Sequence, residues 1–221
     1  MMHVFRDCAL AREVWRSRNQ IFLQVGAACF GEWANKEARL HMCSRPITAP
    51  GSTGGRAGDM ELDKWQPPMA GVVKINVDAR AHMQDDWRGM ELVARDERGS
   101  FIAGRSIWVR GRFAASTTEA LAVREAVIWA GQAGWSSVFV ESDALSVVQG
   151  IATSDGIAYE DSIFAKIRHM IASFANLSVH FVKRSANRVA HTLAQRADSE
   201  SDCLWVGTPP DCIVNLLRFD C

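Results

Sequence analysis

A regular alternation of apolar and polar positions sets in near residue 72. Val73, Ile75 and Val77 fall on one side of a two-residue period, with Lys74, Asn76 and Asp78 on the other, which predicts a first strand. Residues 90–96 (MELVARD) and 100–110 (SFIAGRSIWVR) predict two more strands. Glu97-Arg98-Gly99 between them has turn chemistry, so the three strands form an antiparallel meander. The period then becomes helical. Ser116-Thr-Thr-Glu119 spells a capping box ahead of ALAVREAVIWAGQAG, predicting a helix of about four turns that stops at glycines. VFVESD reads as a buried strand ending in acids and is followed by the helical run ALSVVQGI. A helix over 161–174, a strand over 177–184 and a helix from about Ser185 to Ala197 complete the series. Strands in a meander followed by strands alternating with helices predict an α/β fold, a mixed sheet covered by helices.

Upstream the pattern is weaker. Residues 4–24 hold two short apolar segments broken by arginines, and residues 46–70 collect Pro, Gly, Ser and Thr as a linker does. Among 221 residues, 48% hydrophobic and 23% charged is enough for a sizeable core, read as one domain with extensions. Lys+Arg and Asp+Glu both number 25, so overall charge advertises no nucleic-acid surface. Any grip on phosphate must come from local basic patches or bound cations. The six cysteines (Cys8, Cys29, Cys43, Cys203, Cys212, Cys221) lie outside 71–200 and form no close pairs, which predicts reduced thiols in an intracellular protein. No run approaches about 18 apolar residues. Arg6, Asp7, Arg12 and Glu13 interrupt the place a secretory signal would occupy, so a soluble protein without membrane contact is expected.

The chemistry is concentrated in acids. Asp78 ends the first strand and Asp143 ends VFVESD, and ligands of open α/β sheets gather at the carboxyl ends of strands. Structural alternatives stand beside this: Asp143 as the N-cap of the next helix, and Glu119 as the third residue of the capping box. Three carboxylates drawn together repel one another unless hard divalent cations neutralise them. A pair of such ions suits in-line phosphodiester hydrolysis, one activating water and the other stabilising the leaving oxygen.

The segments KINVDAR, TTEALAVREAVIWA, VFVESDALSVV and VKRSANRVAHTLA, in this order and spacing, resemble the ribonuclease H-like domain of plant retroelement-derived, reverse-transcriptase-like proteins, related to type 1 ribonuclease H. KWQPPMAGVVKINVD before them and Trp205 to Asp220 after them resemble the flanks of that family. The resemblance implies a mixed five-stranded sheet with helices, a site for two Mg²⁺ or Mn²⁺ ions, and cleavage of the RNA strand of RNA–DNA hybrids. It divides the chain into an amino-terminal helical region (1–45), a linker (46–65), the ribonuclease H-like domain (66–200) and a tail (201–221). Asp78, Glu119 and Asp143 match the first three metal-binding carboxylates. His191 stands where the family's N-x-x-A-D-x-L-A motif has Asp, and is either a fourth catalytic ligand or a hydrogen-bonded side chain. Ala79 and Arg80 stand where a Gly follows the first Asp. The short VKRSAN replaces a His-bearing loop, leaving Lys183 and Arg184, with Arg80 and Asn187, as candidate nucleic-acid contacts.

His3-x-Phe5-x-x-Cys8-x-x-Ala11-x-x-x-Trp15 resembles the end of a reverse-transcriptase zinc-binding region. One His and one Cys fall short of the four ligands structural zinc needs, so no zinc is expected. A monomeric, metal-dependent endoribonuclease is the leading expectation. Its rival is the same fold kept as a nucleic-acid-binding or adaptor module after catalysis was lost.

Overall fold

A computed structural model describes residues 64–81, 86–153, 159–196 and 202–220. The amino-terminal region and nearly all of the linker lie outside the described residues. Of the described residues, those within Ser52–Gly131 and Trp135–Cys221 belong to one compact unit.

The predicted meander forms as β1 (Val73–Ala81), β2 (Trp87–Arg95) and β3 (Phe101–Arg110), each antiparallel to the next. The β2–β3 turn is held by Asp96, whose Oδ1 accepts from the backbone N–H groups of Arg98 (2.9 Å) and Ser100 (2.7 Å). Gly99 there sits at φ 76°, a left-handed conformation that glycine adopts without steric cost. Next come α1 (Ala115–Ala133), β4 (Ser137–Ser142), α2 (Leu145–Ala152), α3 (Tyr159–Ile171) and β5 (Asn176–Phe181). A single 3₁₀ turn (Arg184–Ala186) leads into α4 (Arg188–Arg196). β4 joins β1 in parallel and β5 joins β4 in parallel, which gives the mixed sheet.

The sheet has six strands, not the five expected. Residues 203–206 form β6 (Cys203–Val206), antiparallel to β3, so the order is β5-β4-β1-β2-β3-β6. The following helix α5 (Asp211–Phe219) packs against α4. Its fully buried Ile213 joins Val93, Val189 and Leu193 in one core cluster, flanked by Phe101, Trp205, Leu216 and Leu217. The carboxyl-terminal residues therefore close the core.

Alternation along β1 does not mean one wet face. Val73, Ile75 and Val77 are buried, but so are Lys74, Asn76 and Asp78, because α4 packs on β1 and β2 over the polar side. Buried polar groups must find partners, and these form a chain. Lys74 Nζ lies 2.6 Å from Glu141 Oε1, Asn76 Nδ2 donates to Glu141 Oε2 (2.9 Å), and Arg95 Nη2 donates to Asn76 Oδ1 (2.9 Å). Arg95 Nη1 donates to Asp220 Oδ2 (3.0 Å), and its guanidinium stacks 3.5 Å from the ring centre of buried Trp65. Packing thus begins before residue 66. No described helix is long and apolar enough to cross a membrane.

Candidate metal centre

Strand register brings two of the predicted acids together. In the parallel pair β1–β4, Val77 lies beside Ser142; β4 ends there, while β1 runs on to Ala81, so Asp78 lies within β1 rather than at its end as expected, one residue past the last β1–β4 pair, as Asp143 is on the other strand. Glu119 comes from α1. Ligand oxygens of Asp78, Glu119 and Asp143 all lie within 4.8 Å of one another.

The capping alternatives do not describe these side chains. Thr118 N–H donates to Ala114 O (3.0 Å), so the helix is entered from Ala114; Ser116 lies inside α1 and Glu119 is its fifth residue. The N-cap of α2 is Ala144, with no side-chain cap, and Asp143 precedes it. The capping box expected at Ser116 is therefore not formed as spelled.

Crowding and burial show in the proton affinities. Burial raises the Asp78 carboxyl above its ordinary range, and neighbouring Asp143 adds to this, while hydrogen bonding to His191 opposes it. Burial, then the charges of Asp78 and Asp143, push Glu119 up to about 9. Its Oε2 is buried without a hydrogen-bond partner, as a carboxylate arranged for an added cation would be.

His191, on α4, reaches Asp78, with Nδ1 2.7 Å from Asp78 Oδ2. Gln195 Nε2 lies 2.9 Å from His191 Nε2, and Arg184 Nη2 lies 3.0 Å from each ring nitrogen. Donation from Nδ1–H to Asp78 and acceptance at Nε2 satisfies these groups together. The ring thus meets one carboxylate of the cluster but is not among the mutually close ligands.

The remaining predicted residues take distinct places. Arg184 is exposed, with Nη1 4.0 Å from Asp143 Oδ2. Arg80 Nη1 donates to the carbonyls of Ala194 (3.2 Å) and Gln195 (3.1 Å), at the negative end of the α4 dipole. Lys183 is exposed just before the 3₁₀ turn. Asn187, expected among the nucleic-acid contacts, is fully buried. Its Nδ2 donates to Val77 O (2.8 Å) and Asp143 Oδ1 (3.3 Å), tying β1 to the residue that follows β4. Asp78, Ala79, Arg80, Arg184, His191, Ala194 and Gln195 line an open recess of about 380 Å³.

Sequence reasoning passed over Glu91. It lies directly opposite Asp78 in the β1–β2 register, has no exposed surface, and has Oε1 3.4 Å from the Ser106 hydroxyl. Burial, then Asp78, push it up to about 8. The available signal was the cross-strand register with Asp78.

The family described as Reverse transcriptase-like matches residues 76–197, more than half of the chain. No curated protein matches. Among solved structures, ribonuclease H1 of the halophilic archaeon Halobacterium salinarum NRC-1 is similar at 20% identity and TM-score 0.52, over 57% of this chain and 96% of that one. A ribonuclease H1 isolated from compost by a metagenomic approach is similar at 22% identity and TM-score 0.51, over 58% of this chain and 99% of that one. At these identities the likeness concerns the fold, the mixed sheet flanked by helices just described. With a family match that runs from β1 through α4 and takes in all three acids, the chain belongs to the reverse transcriptase-like family and has a ribonuclease H-like fold.

Proposed function

We propose that this chain is a divalent-metal-dependent nuclease of ribonuclease H type that binds RNA paired with DNA and hydrolyses the RNA strand. The observation that carries the reading is the meeting of Asp78, Glu119 and Asp143 at one end of the sheet, within 4.8 Å of one another. Their donor set fits the ions the fold implies: all ligand atoms are hard carboxylate oxygens, and buried Glu119 Oε2 lacks a partner. These three residues would hold Mg²⁺ or Mn²⁺, which when bound supplies an activated water and charge for the leaving oxygen. Asn187 holds the Asp143 carboxylate in place against β1. Exposed Arg184, which lines the recess, and exposed Lys183 next to it in the chain offer donors to phosphate oxygens. A hybrid duplex would be recognised by shape, phosphates and 2′-hydroxyls, with little base specificity.

A second reading has one observation in its favour. His191, an imidazole bonded to Asp78, stands where a fourth acid would stand, and a site so altered serves a binding module as well as an enzyme. The two are separated by incubating the protein with a labelled RNA–DNA duplex and each metal. The nuclease reading expects cleavage of the RNA strand that Asp78→Asn abolishes. Tight, metal-independent binding without cleavage establishes the module instead.

A further inference from the structure

We infer that Arg184, together with the His191 ring it touches, is a built-in counter-cation of the carboxylate cluster that a divalent ion must displace. The inference rests on the metal-site reading and concerns how that site is regulated. Arg184 and His191 form a strut between Asp78 and Asp143. Asp143 Oδ2 lies 4.0 Å from Arg184 Nη1, Arg184 Nη2 lies 3.0 Å from the ring nitrogens, and His191 Nδ1 lies 2.7 Å from Asp78 Oδ2. The strut thus joins the same two carboxylates that an ion would join.

The other groups facing the cluster cannot serve this purpose. Arg80 also lines the recess, but its Nη1 is bonded to two carbonyls at the end of α4. Asn187 and Gln195 carry no charge. Arg184 is therefore the cation positioned to offset the acids, and its charge also lowers the proton affinity of Glu119.

Its hold is weak by design of the geometry. The Arg184 side chain is 66% exposed and 4.0 Å from its acid, in the class of rim ion pairs that salt screens and that contribute little. A divalent ion at the carboxylates would repel the guanidinium and take over its role. Once released, the planar guanidinium is free to take a phosphate oxygen pair. Ion entry and phosphate capture are then coupled through one side chain.

The test is calorimetric titration of the full chain with Mn²⁺ alone, without nucleic acid. Arg184→Ala should bind Mn²⁺ about three- to tenfold more tightly than the natural protein, as expected for removing one partly exposed like charge. Arg184→Lys, which keeps the charge, should stay within about twofold. Arg98→Ala, an exposed arginine in the β2–β3 turn, controls for net charge and should change nothing. The gain in Arg184→Ala should shrink as ionic strength rises. Unchanged or weaker binding by Arg184→Ala, with Mn²⁺ binding intact in the natural protein, overturns this inference and leaves the metal site standing. Absence of Mn²⁺ binding in every variant overturns both.

Discussion

Replacing Glu119 by Gln should stabilise the metal-free protein, and by more at about pH 8 than at about pH 5. In the folded chain Glu119 holds its proton up to about 9, because of burial and then the charges of Asp78 and Asp143, against an ordinary value of 4.5. An unfolded chain loses that proton near the ordinary value. Between the two values the unfolded state binds fewer protons than the folded one, so stability falls as pH rises through this window. At about 1.4 kcal/mol per unit, the cost at neutral pH would be about 3 kcal/mol without screening. Glu119 retains some water access, which brings the expected figure to about 1–2 kcal/mol. Glutamine has nearly the same shape and is neutral in both states, so it removes this cost. For a domain of this size the gain corresponds to about 2–8 °C in Tm. The assay is thermal unfolding of both proteins in chelator across this pH range, repeated with Mn²⁺. Metal should raise the Tm of the natural protein more than that of the variant. A stability difference independent of pH, or a variant less stable at about pH 8, refutes the reasoning.

Other consequences follow from the same geometry. Asp220→Ala should destabilise the chain by about 3–5 kcal/mol, because it strands the Arg95 guanidinium, fully buried beside it, without its counter-ion; a loss under about 1 kcal/mol in urea unfolding would contradict this. Asn187→Ala should lower hybrid cleavage and Mn²⁺ affinity together, since it frees Asp143 from Val77, and cleavage lost at unchanged Mn²⁺ affinity would contradict the positioning role. Imidazole nitrogen suits Mn²⁺ better than Mg²⁺, so His191→Asp should shift the activity ratio towards Mg²⁺; equal ratios in a paired titration would show that His191 does not bear on the ion.

The elements were largely legible because their causes are local. Alternation at Val73, Ile75 and Val77 and the turn at Gly99 suffice to place the meander. Asp78 and Asp143 could be picked out because each closes an apolar run, and parallel pairing places the ends of those two runs beside each other, although β1 itself continues to Ala81. What escaped depended on distant covering. Glu91, Lys74 and Arg95 lie on the face of the sheet that α4 covers, and Trp65 stacks on Lys74 and Arg95; no local pattern shows that burial. β6 has four residues, too few for a period to show, and its pairing with β3 is antiparallel across nearly the whole domain. The helix entry at Ala144 carries no side-chain cap, and the other helix is entered at Ala114, ahead of Ser116, so the polar residues nearby misled. The bond between His191 and Asp78 joins residues 113 apart, and no motif spells its orientation.

The position of β6 has a bearing on biosynthesis. Chains emerge from the ribosome amino end first, so β1 to α4 are available for pairing before residues 203–206 exist. During that interval β3 is an open edge whose segment FIAGRSIWV displays unpaired backbone groups to any neighbouring chain. Arg105 within that strand places a charge where aggregation would otherwise begin, a known means of guarding an edge. The late strand then acts as a protective cover, and its arrival also carries in Asp220, which neutralises Arg95. Solubility of a nascent or truncated chain should accordingly hinge on a strand three places removed from β1, which carries Asp78.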